Sequence, residues 1–147
     1  MKNEKYVVEA SSSLLKFEFY SEGPKGKIRK QIVFRAFENA PTVFNLGFGD
    51  VDENERINDT VVTDNGDSKR VLSTVALTVL KFYEKHPGCY VYVTGSTTAR
   101  TRLYRMGIAK NLLEIKVDFV VYGYINDTWE EFKERIDYQA FLLKKKN

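Results

Sequence analysis

The sequence has little cysteine and little histidine, and this scarcity excludes several classes of site. The single thiol, Cys89, cannot form a disulfide within the chain. Because His86 is the only histidine, the chain alone cannot assemble a transition-metal site of the usual His/Cys kind. His86 precedes Pro87 at the end of an expected helix, so an exposed or capping role is favoured over catalysis. We therefore predict no metal site and no cofactor.

Long apolar runs are also missing. No stretch approaches the roughly 18 apolar residues of a membrane-spanning helix. The first residues lack the apolar core of a secretory signal, which is about 7 to 15 residues long. We therefore expect a cytoplasmic protein that has no membrane partner.

Apolar material suited to a globular core is abundant. Of the 147 residues, 43% are hydrophobic and 14% are aromatic, and this is enough for one core. We predict a single domain over residues 1–147. The net charge of +3 neither demands nor excludes a nucleic-acid partner, so the distribution of charge along the chain must decide.

The first third of the chain has the pattern of antiparallel strands. Two short runs of β-branched and aromatic residues, 15–20 and 28–37, are separated by a turn rich in glycine at 21–26. A third run follows at 42–48 and a weak fourth at 60–63. Alternation along strands places about half of the aromatic side chains in the core, and core packing is favoured over a base-stacking platform for any one of them.

The best helix prediction covers residues 67–86, where apolar residues recur at spacings of three and four. Asp67 or Ser68 is expected to cap its first turn. The apolar run at 89–93 then predicts a buried strand that includes Cys89.

A second helix is predicted at 99–106, with Gly107 as a cap or interruption. Residues 117–124 predict a strand, 128–131 a capping box that opens a short helix, and 138–144 a final strand. The order indicates an α+β fold, in which an antiparallel or mixed β-sheet has two main helices packed on one face.

The strongest functional signal is the basic segment, residues 94–105, where a Gly-Ser turn joins a strand to a helix. Backbone N–H groups and the positive end of the helix dipole at such a junction attract anions. Hydroxyl side chains and three arginines add donors suited to phosphate, and no acidic residue lies between Gly95 and Leu113. The candidate ligand-binding residues are Ser96, Thr97, Thr98, Arg100, Arg102, Tyr104 and Arg105.

Helix geometry limits how the three arginines act together. Arg102 and Arg105 share a face, whereas Arg100 lies about 200° from Arg102. The alternative is structural: Ser96 or Thr97 caps the helix, the arginines form its solvated face, and Leu103 and Met106 form its core side. The segment matches neither the Walker A nor the Rossmann phosphate-binding pattern.

An acidic stretch begins at Asp50, Asp52 and Asn54, a spacing that resembles the start of a calcium-binding loop. The sixth position, Glu55, is not glycine, and the twelfth, Val61, is not glutamate. We therefore predict a solvated loop between strands, with loose metal binding or electrostatic docking onto the basic segment as alternatives.

Four strings in the sequence are similar to those of a family of small uncharacterised proteins from Bacteroidetes-type bacteria. They are Gly-Pro-Lys-Gly at 23–26, Phe-Asn-Leu-Gly-Phe-Gly-Asp at 44–50, Val-Leu-Ser-Thr-Val-Ala at 71–76, and the run from Gly to Arg at 95–105. The resemblance covers nearly the whole chain, and the last string is its most specific part. It implies an intracellular bacterial protein and carries no function with it.

Three functional readings remain open. We expect a small bacterial protein that binds nucleic acid or another phosphate-bearing ligand through the basic segment. Its small size and type suggest a component of a toxin–antitoxin or defence system. A small nuclease or transferase would use the same segment and need carboxylates such as Asp50, Asp52 or Asp118. A protein-interaction module, forming a homodimer, would instead pair the arginines with acidic residues of a protein partner.

Overall fold

The computed structural model describes residues 4–58 and 64–146. Within these ranges the chain forms nine strands and three helices. In chain order they are β1 (Glu9–Ala10), β2 (Lys16–Gly23), β3 (Gly26–Phe37), β4 (Ala40–Val51), β5 (Ile57–Asn58), α1 (Ser68–Tyr83), β6 (Tyr90–Val93), α2 (Thr98–Lys110), α3 (Leu112–Asp118), β7 (Phe119–Ile125), β8 (Thr128–Glu131) and β9 (Ala140–Lys145).

The strands form one mixed sheet in the order β1-β2-β3-β4-β6-β9-β7-β8, with β5 paired to β4. Strands β4 and β6 are parallel, because α1 lies between them in the chain and returns it to the same direction. Strand β9 is antiparallel to both β6 and β7. The predicted α+β class and mixed sheet are confirmed, and three helices accompany the sheet.

The described residues group into two compact units. The C-terminal unit contains residues 36–45 and 87–146, and the N-terminal unit contains residues 4–35, 46–58 and 64–86. Strand β4 contributes residues to both units. The prediction of a single domain over residues 1–147 stays a prediction.

The core of the N-terminal unit is aromatic. Phe17 and Ile32 are register partners on β2 and β3, so their side chains lie on one face of the sheet, and both are fully buried. Helix α1 packs there through Phe82, whose ring stacks on that of Phe34 at a centroid distance of 4.5 Å. The predicted amphipathic helix is confirmed, with its buried residues at the expected spacing.

The cap position predicted for α1 is confirmed at Asp67, but the capping interaction is not. Asp67 occupies the N-cap position, but its side chain makes no capping hydrogen bond. Its Oδ2 atom instead accepts hydrogen bonds from the hydroxyls of Tyr6 and Ser21, both at 2.6 Å. The carboxylate therefore ties the N-terminal segment and β2 to the start of the helix.

In the C-terminal unit, β6, β9 and β7 bury one face of the sheet. Val91, Leu143 and Val121 are register partners across these strands, and all three are buried. Cys89 lies just before β6 and is half-exposed, so the prediction of a buried strand residue is wrong for this thiol. The strand itself is confirmed.

The predicted helix at 128–131 is wrong, because these residues form β8. Asn126 and Asp127 have φ values of 53° and 58°, the left-handed pair of a tight hairpin loop. This loop joins β7 to β8 and sets Tyr124 opposite Trp129.

Helical structure also extends further than the sequence predicted. Helix α2 continues through Gly107 to Lys110, and α3 occupies 112–118, where a strand was expected to begin. The weak apolar run at 60–63 lies outside the described residues. Among the described residues, no helix is long and apolar enough to cross a membrane.

Candidate functional site

The basic segment begins directly after β6 and continues into α2 within the C-terminal unit, so the strand–turn–helix order that the sequence predicted is confirmed. Thr97 is the N-cap of α2, and its hydroxyl accepts a hydrogen bond from the backbone N–H of Arg100 at 3.2 Å. The Thr97 carbonyl accepts from the N–H of Thr101 at 3.1 Å. The capping role predicted for Ser96 or Thr97 is confirmed for Thr97.

The turn before α2 packs tightly against the first turn of that helix. The buried Thr101 hydroxyl accepts a hydrogen bond from the Gly95 N–H at 3.1 Å. A Cβ atom added to Gly95 would lie 2.4 Å from the Thr101 backbone nitrogen, which is too close for any side chain. Glycine is therefore required at position 95, and Thr101 holds the turn in place.

The three arginines occupy different environments. One Nη of Arg100 donates a hydrogen bond to the Ser96 hydroxyl at 2.8 Å, so this side chain folds back over the turn. Half-buried Arg105 forms an ion pair with Asp137, with 3.4 Å between Nη2 and Oδ1. Arg102 is exposed, and its guanidinium has no hydrogen bond or ion pair to the part of the chain that the structure describes.

Tyr104 lies between Arg102 and Arg105 on α2 and is half-buried. Burial raises the pKa of its phenol to about 12, and the nearby positive charge of Arg100 opposes this increase. The phenol is therefore neutral at physiological pH, and Tyr104 can donate a hydrogen bond but does not act as an anionic base.

Helices α2 and α3 bury very little of their own surface. Thr101 is the one buried residue of α2, and every residue of α3 is at least partly exposed. Four large apolar side chains on the two helices are exposed, namely Leu103, Met106, Leu113 and Val117. The core side expected for Leu103 and Met106 is therefore wrong. The exposed fractions of Leu113 and Val117 reach 87% and 72%. We call these four residues the apolar row of α2 and α3.

Two of the three candidate carboxylates of an enzymatic site, Asp50 and Asp52, have structural partners in the N-terminal unit. Asp50 forms an ion pair of 2.7 Å with the buried ammonium of Lys30. Asp52 accepts hydrogen bonds from the backbone N–H groups of Asn54 and Arg56, both at 2.9 Å. Among the described residues, no group of three or more histidine, cysteine and acidic side chains is placed to hold a metal ion.

Sequence reasoning did not identify Thr101 or Asp137 as part of this region. A signal for Thr101 existed, because the tight turn at Gly95 needs a polar partner on the helix that it packs against. No local signal existed for Asp137, which lies 32 residues after Arg105 in the chain.

The third candidate carboxylate, Asp118, is exposed, and its carbonyl accepts a hydrogen bond from the N–H of Lys146 at 2.8 Å.

The protein is therefore an α+β protein that has a basic strand–helix junction after β6. Its helices α2 and α3 bury little of their surface. The chain belongs to a family of unknown function, DUF6934, whose model matches residues 2–146. No curated protein and no solved structure matches the chain. The bacterial origin, the cytoplasmic location and the toxin–antitoxin or defence role stay predictions.

Proposed function

We propose that the protein binds nucleic acid through the phosphate groups, using the basic segment. The observation that carries the proposal is the exposed guanidinium of Arg102, which has no acidic partner among the described residues and lies one turn into α2. A buried or ion-paired arginine would have a structural role that accounts for its presence. An exposed one beside a helix N-terminus is free to bind phosphate.

Hydroxyl groups extend the anion-binding character of this region. Ser96, Thr97 and Thr98 are all exposed at the N-terminal end of α2. Arg100 already donates to the Ser96 hydroxyl and therefore brings a second positive charge over the turn. The result is a cluster of donors without a carboxylate in the same stretch of chain.

The arrangement favours a polyanion over a single phosphate. Arg100 and Arg102 project from α2 about 200° apart, so they do not converge on one phosphate group. They are suited instead to separate phosphates along a strand, where each contact releases counterions. Nucleic acid is the ligand class that presents phosphates in this way.

Electrophoretic mobility of short RNA and DNA oligonucleotides, single-stranded and duplex, tests the proposal. We expect the wild type to shift at least one of them at low salt, and Arg102→Ala to weaken binding roughly tenfold. Lys133→Ala is the matched control, because Lys133 is an exposed cation of the same unit that lies outside the basic segment. Equal loss in both variants, or no shift with any oligonucleotide, would contradict the proposal.

A second candidate function, a homodimeric interaction module, is favoured by the apolar row of α2 and α3. Leu113 and Val117 are four residues apart and lie on one face of α3, with most of their surface exposed. The occupant we propose for this candidate is a second copy, because α3 carries two acidic residues and one lysine while α2 carries four basic residues and no acidic one. In an antiparallel arrangement, acidic α3 of one copy would face basic α2 of the other.

A further inference from the structure

The sheet of the C-terminal unit has one core face and one aromatic face. Tyr92 on β6, Leu142 on β9 and Tyr122 on β7 are register partners, so their side chains share a face. All three are half-exposed, in contrast to the buried valines and leucine on the opposite face. Tyr124 and Trp129, on β7 and β8, are also register partners on this half-exposed face.

Three of these aromatic rings, together with that of Phe37, form a connected row across the unit. The ring centroid of Tyr92 lies 5.6 Å from that of Phe37 and 6.1 Å from that of Trp129. Trp129 in turn lies 5.0 Å from Tyr124. We call Phe37, Tyr92, Trp129 and Tyr124 the aromatic row.

The rings of the aromatic row are accessible. Phe37 and Trp129 each expose 39% of their surface, and Tyr92 and Tyr124 are half-exposed. Rings that served only as core would be buried, as Phe141 is on the other face. The rings meet edge to face at Tyr92, with interplanar angles of 84° to Phe37 and 76° to Trp129, so each ring offers its own apolar surface to a ligand.

Positive charge lies on the same face. Lys144 is the register partner of Tyr90, and its ammonium lies 5.3 Å from the centre of that ring. Acidic groups lie at the opposite edge, where the Tyr124 hydroxyl donates to Asp127 at 3.4 Å. Glu131 is the register partner of Tyr122 at the same edge. A polyanion crossing this face is attracted towards β6 and β9.

The basic segment begins near the strands that carry the aromatic row. Tyr92 lies two residues before Thr94, whose hydroxyl donates to the Gln139 carbonyl at 2.9 Å. The Gln139 N–H donates to the Tyr124 carbonyl at 2.8 Å. The start of the basic segment is therefore held next to the part of β7 that carries a ring of the row.

We propose that the aromatic row is a base-stacking platform and that the nucleic acid bound by this protein is single-stranded. The inference rests on the proposed function and names the class of its ligand. In a duplex the base faces are already stacked on one another, whereas an unpaired strand has base faces free to stack on protein rings. The row binds the bases, and the basic segment binds the phosphates of the same strand.

Trp129 is the only tryptophan of the chain, so its fluorescence reports directly on the row. The experiment titrates the full chain with a single-stranded oligonucleotide of about 12 nucleotides, and with its duplex, at low salt. We expect the single strand to quench Trp129 fluorescence and the duplex to quench it far less. Binding of a fluorescein-labelled strand is measured in parallel by anisotropy, so that binding and stacking are separated.

Three variants then assign the contacts. Tyr92→Leu keeps an apolar side chain but removes a stacking surface, and it should weaken single-strand binding roughly tenfold. Tyr20→Leu is the matched control, because Tyr20 is an exposed aromatic residue of the N-terminal unit. Phe37→Leu repeats the test at another ring, in case Tyr92→Leu does not fold.

The outcomes distinguish the two proposals. In one outcome, Arg102→Ala weakens binding, Tyr92→Leu and Phe37→Leu do not, and Trp129 fluorescence is unchanged. This outcome overturns the platform and leaves the proposed function intact. Binding that needs the rings but not Arg102 supports the platform and contradicts the phosphate site. Equal affinity for duplex and single strand overturns the platform, and no binding of any oligonucleotide overturns both.

Discussion

Lys30 and Asp50 form an ion pair inside the N-terminal unit, with 2.7 Å between Nζ and Oδ1 and only 1% of the lysine side chain exposed. Lys30 faces the core because it is the register partner of Phe19, and its ammonium lies 5.8 Å from the centre of the Phe48 ring. The first acidic residue of the stretch that resembled a calcium loop therefore neutralises a buried cation.

This pair predicts unequal effects of removing either member. Asp50→Asn removes the negative charge that pairs with the buried ammonium and should lower the free energy of unfolding by roughly 3 kcal/mol. Lys30→Met fills the space of the lysine with apolar volume and leaves Asp50, whose side chain is 14% exposed and can still reach water, so it should cost less. Urea denaturation of the two variants measures both values. A larger loss for Lys30→Met would contradict this account of the core.

Gly95 predicts a sharp difference between two glycine substitutions in the same unit. Gly95→Ala places a Cβ 2.4 Å from the backbone nitrogen of Thr101, so the turn must move and oligonucleotide binding should fall at least severalfold. Gly88→Ala is the matched control, because an added Cβ there meets nothing within 4 Å. Affinity and thermal unfolding of both variants provide the comparison. Equal behaviour of the two alanines would show that the turn geometry is not needed.

We expect Glu18 to account for part of the loss of folding stability at acidic pH. Hydrogen bonds from the Arg29 guanidinium hold the pKa of this carboxyl below its ordinary value of 4.5, while partial burial opposes the shift. Because the folded-state pKa is depressed, the stabilisation is present above pH 4.5 and is lost as the pH falls through the folded-state pKa.

Replacing Glu18 with glutamine removes this titration. Glu18→Gln should therefore be less stable than the wild type near neutral pH, and its stability should fall less between roughly pH 6 and roughly pH 3. Unfolding free energies across that range, from urea titrations, test the prediction. Parallel curves for the two proteins would mean that Glu18 is not linked to folding.

If the second candidate function holds, the apolar row of α2 and α3 predicts that the protein is a homodimer in solution. Leu113→Asp places a charge on a side chain that is 87% exposed, so it should leave the monomer folded and dissociate a homodimer. Sedimentation equilibrium of the wild type and the variant measures the mass. Val7→Asp, at an exposed apolar residue of the N-terminal unit, is the control. A wild type that is monomeric at high concentration would contradict the homodimer.

Several elements were predictable because their signals are local. Helix α1 has apolar residues at helical spacing, and the basic segment combines a Gly-Ser turn with a run of arginines. Strand β8 was missed because Thr128 and Glu131 match a capping box. The preceding Asn126 and Asp127 instead adopt left-handed conformations that close a hairpin.

Other features depend on residues that are distant in the chain. The ion pair of Arg105 with Asp137 divides the arginines into paired and unpaired members, and helix periodicity alone placed Arg105 on the same face as Arg102. The aromatic row has members from four strands, β3, β6, β7 and β8. Its rings meet only because of the strand order and register, which the sequence pattern did not specify.

The salt dependence of single-strand binding tests the central claim most directly. The dissociation constant of one labelled oligonucleotide is measured over a range of salt for the wild type, Arg102→Ala and Lys133→Ala. If Arg102 contacts a phosphate, its removal should reduce the slope of log Kd against log salt concentration by about 1, and Lys133→Ala should leave the slope unchanged. An unchanged slope in Arg102→Ala, or no binding by the wild type at low salt, would contradict the claim.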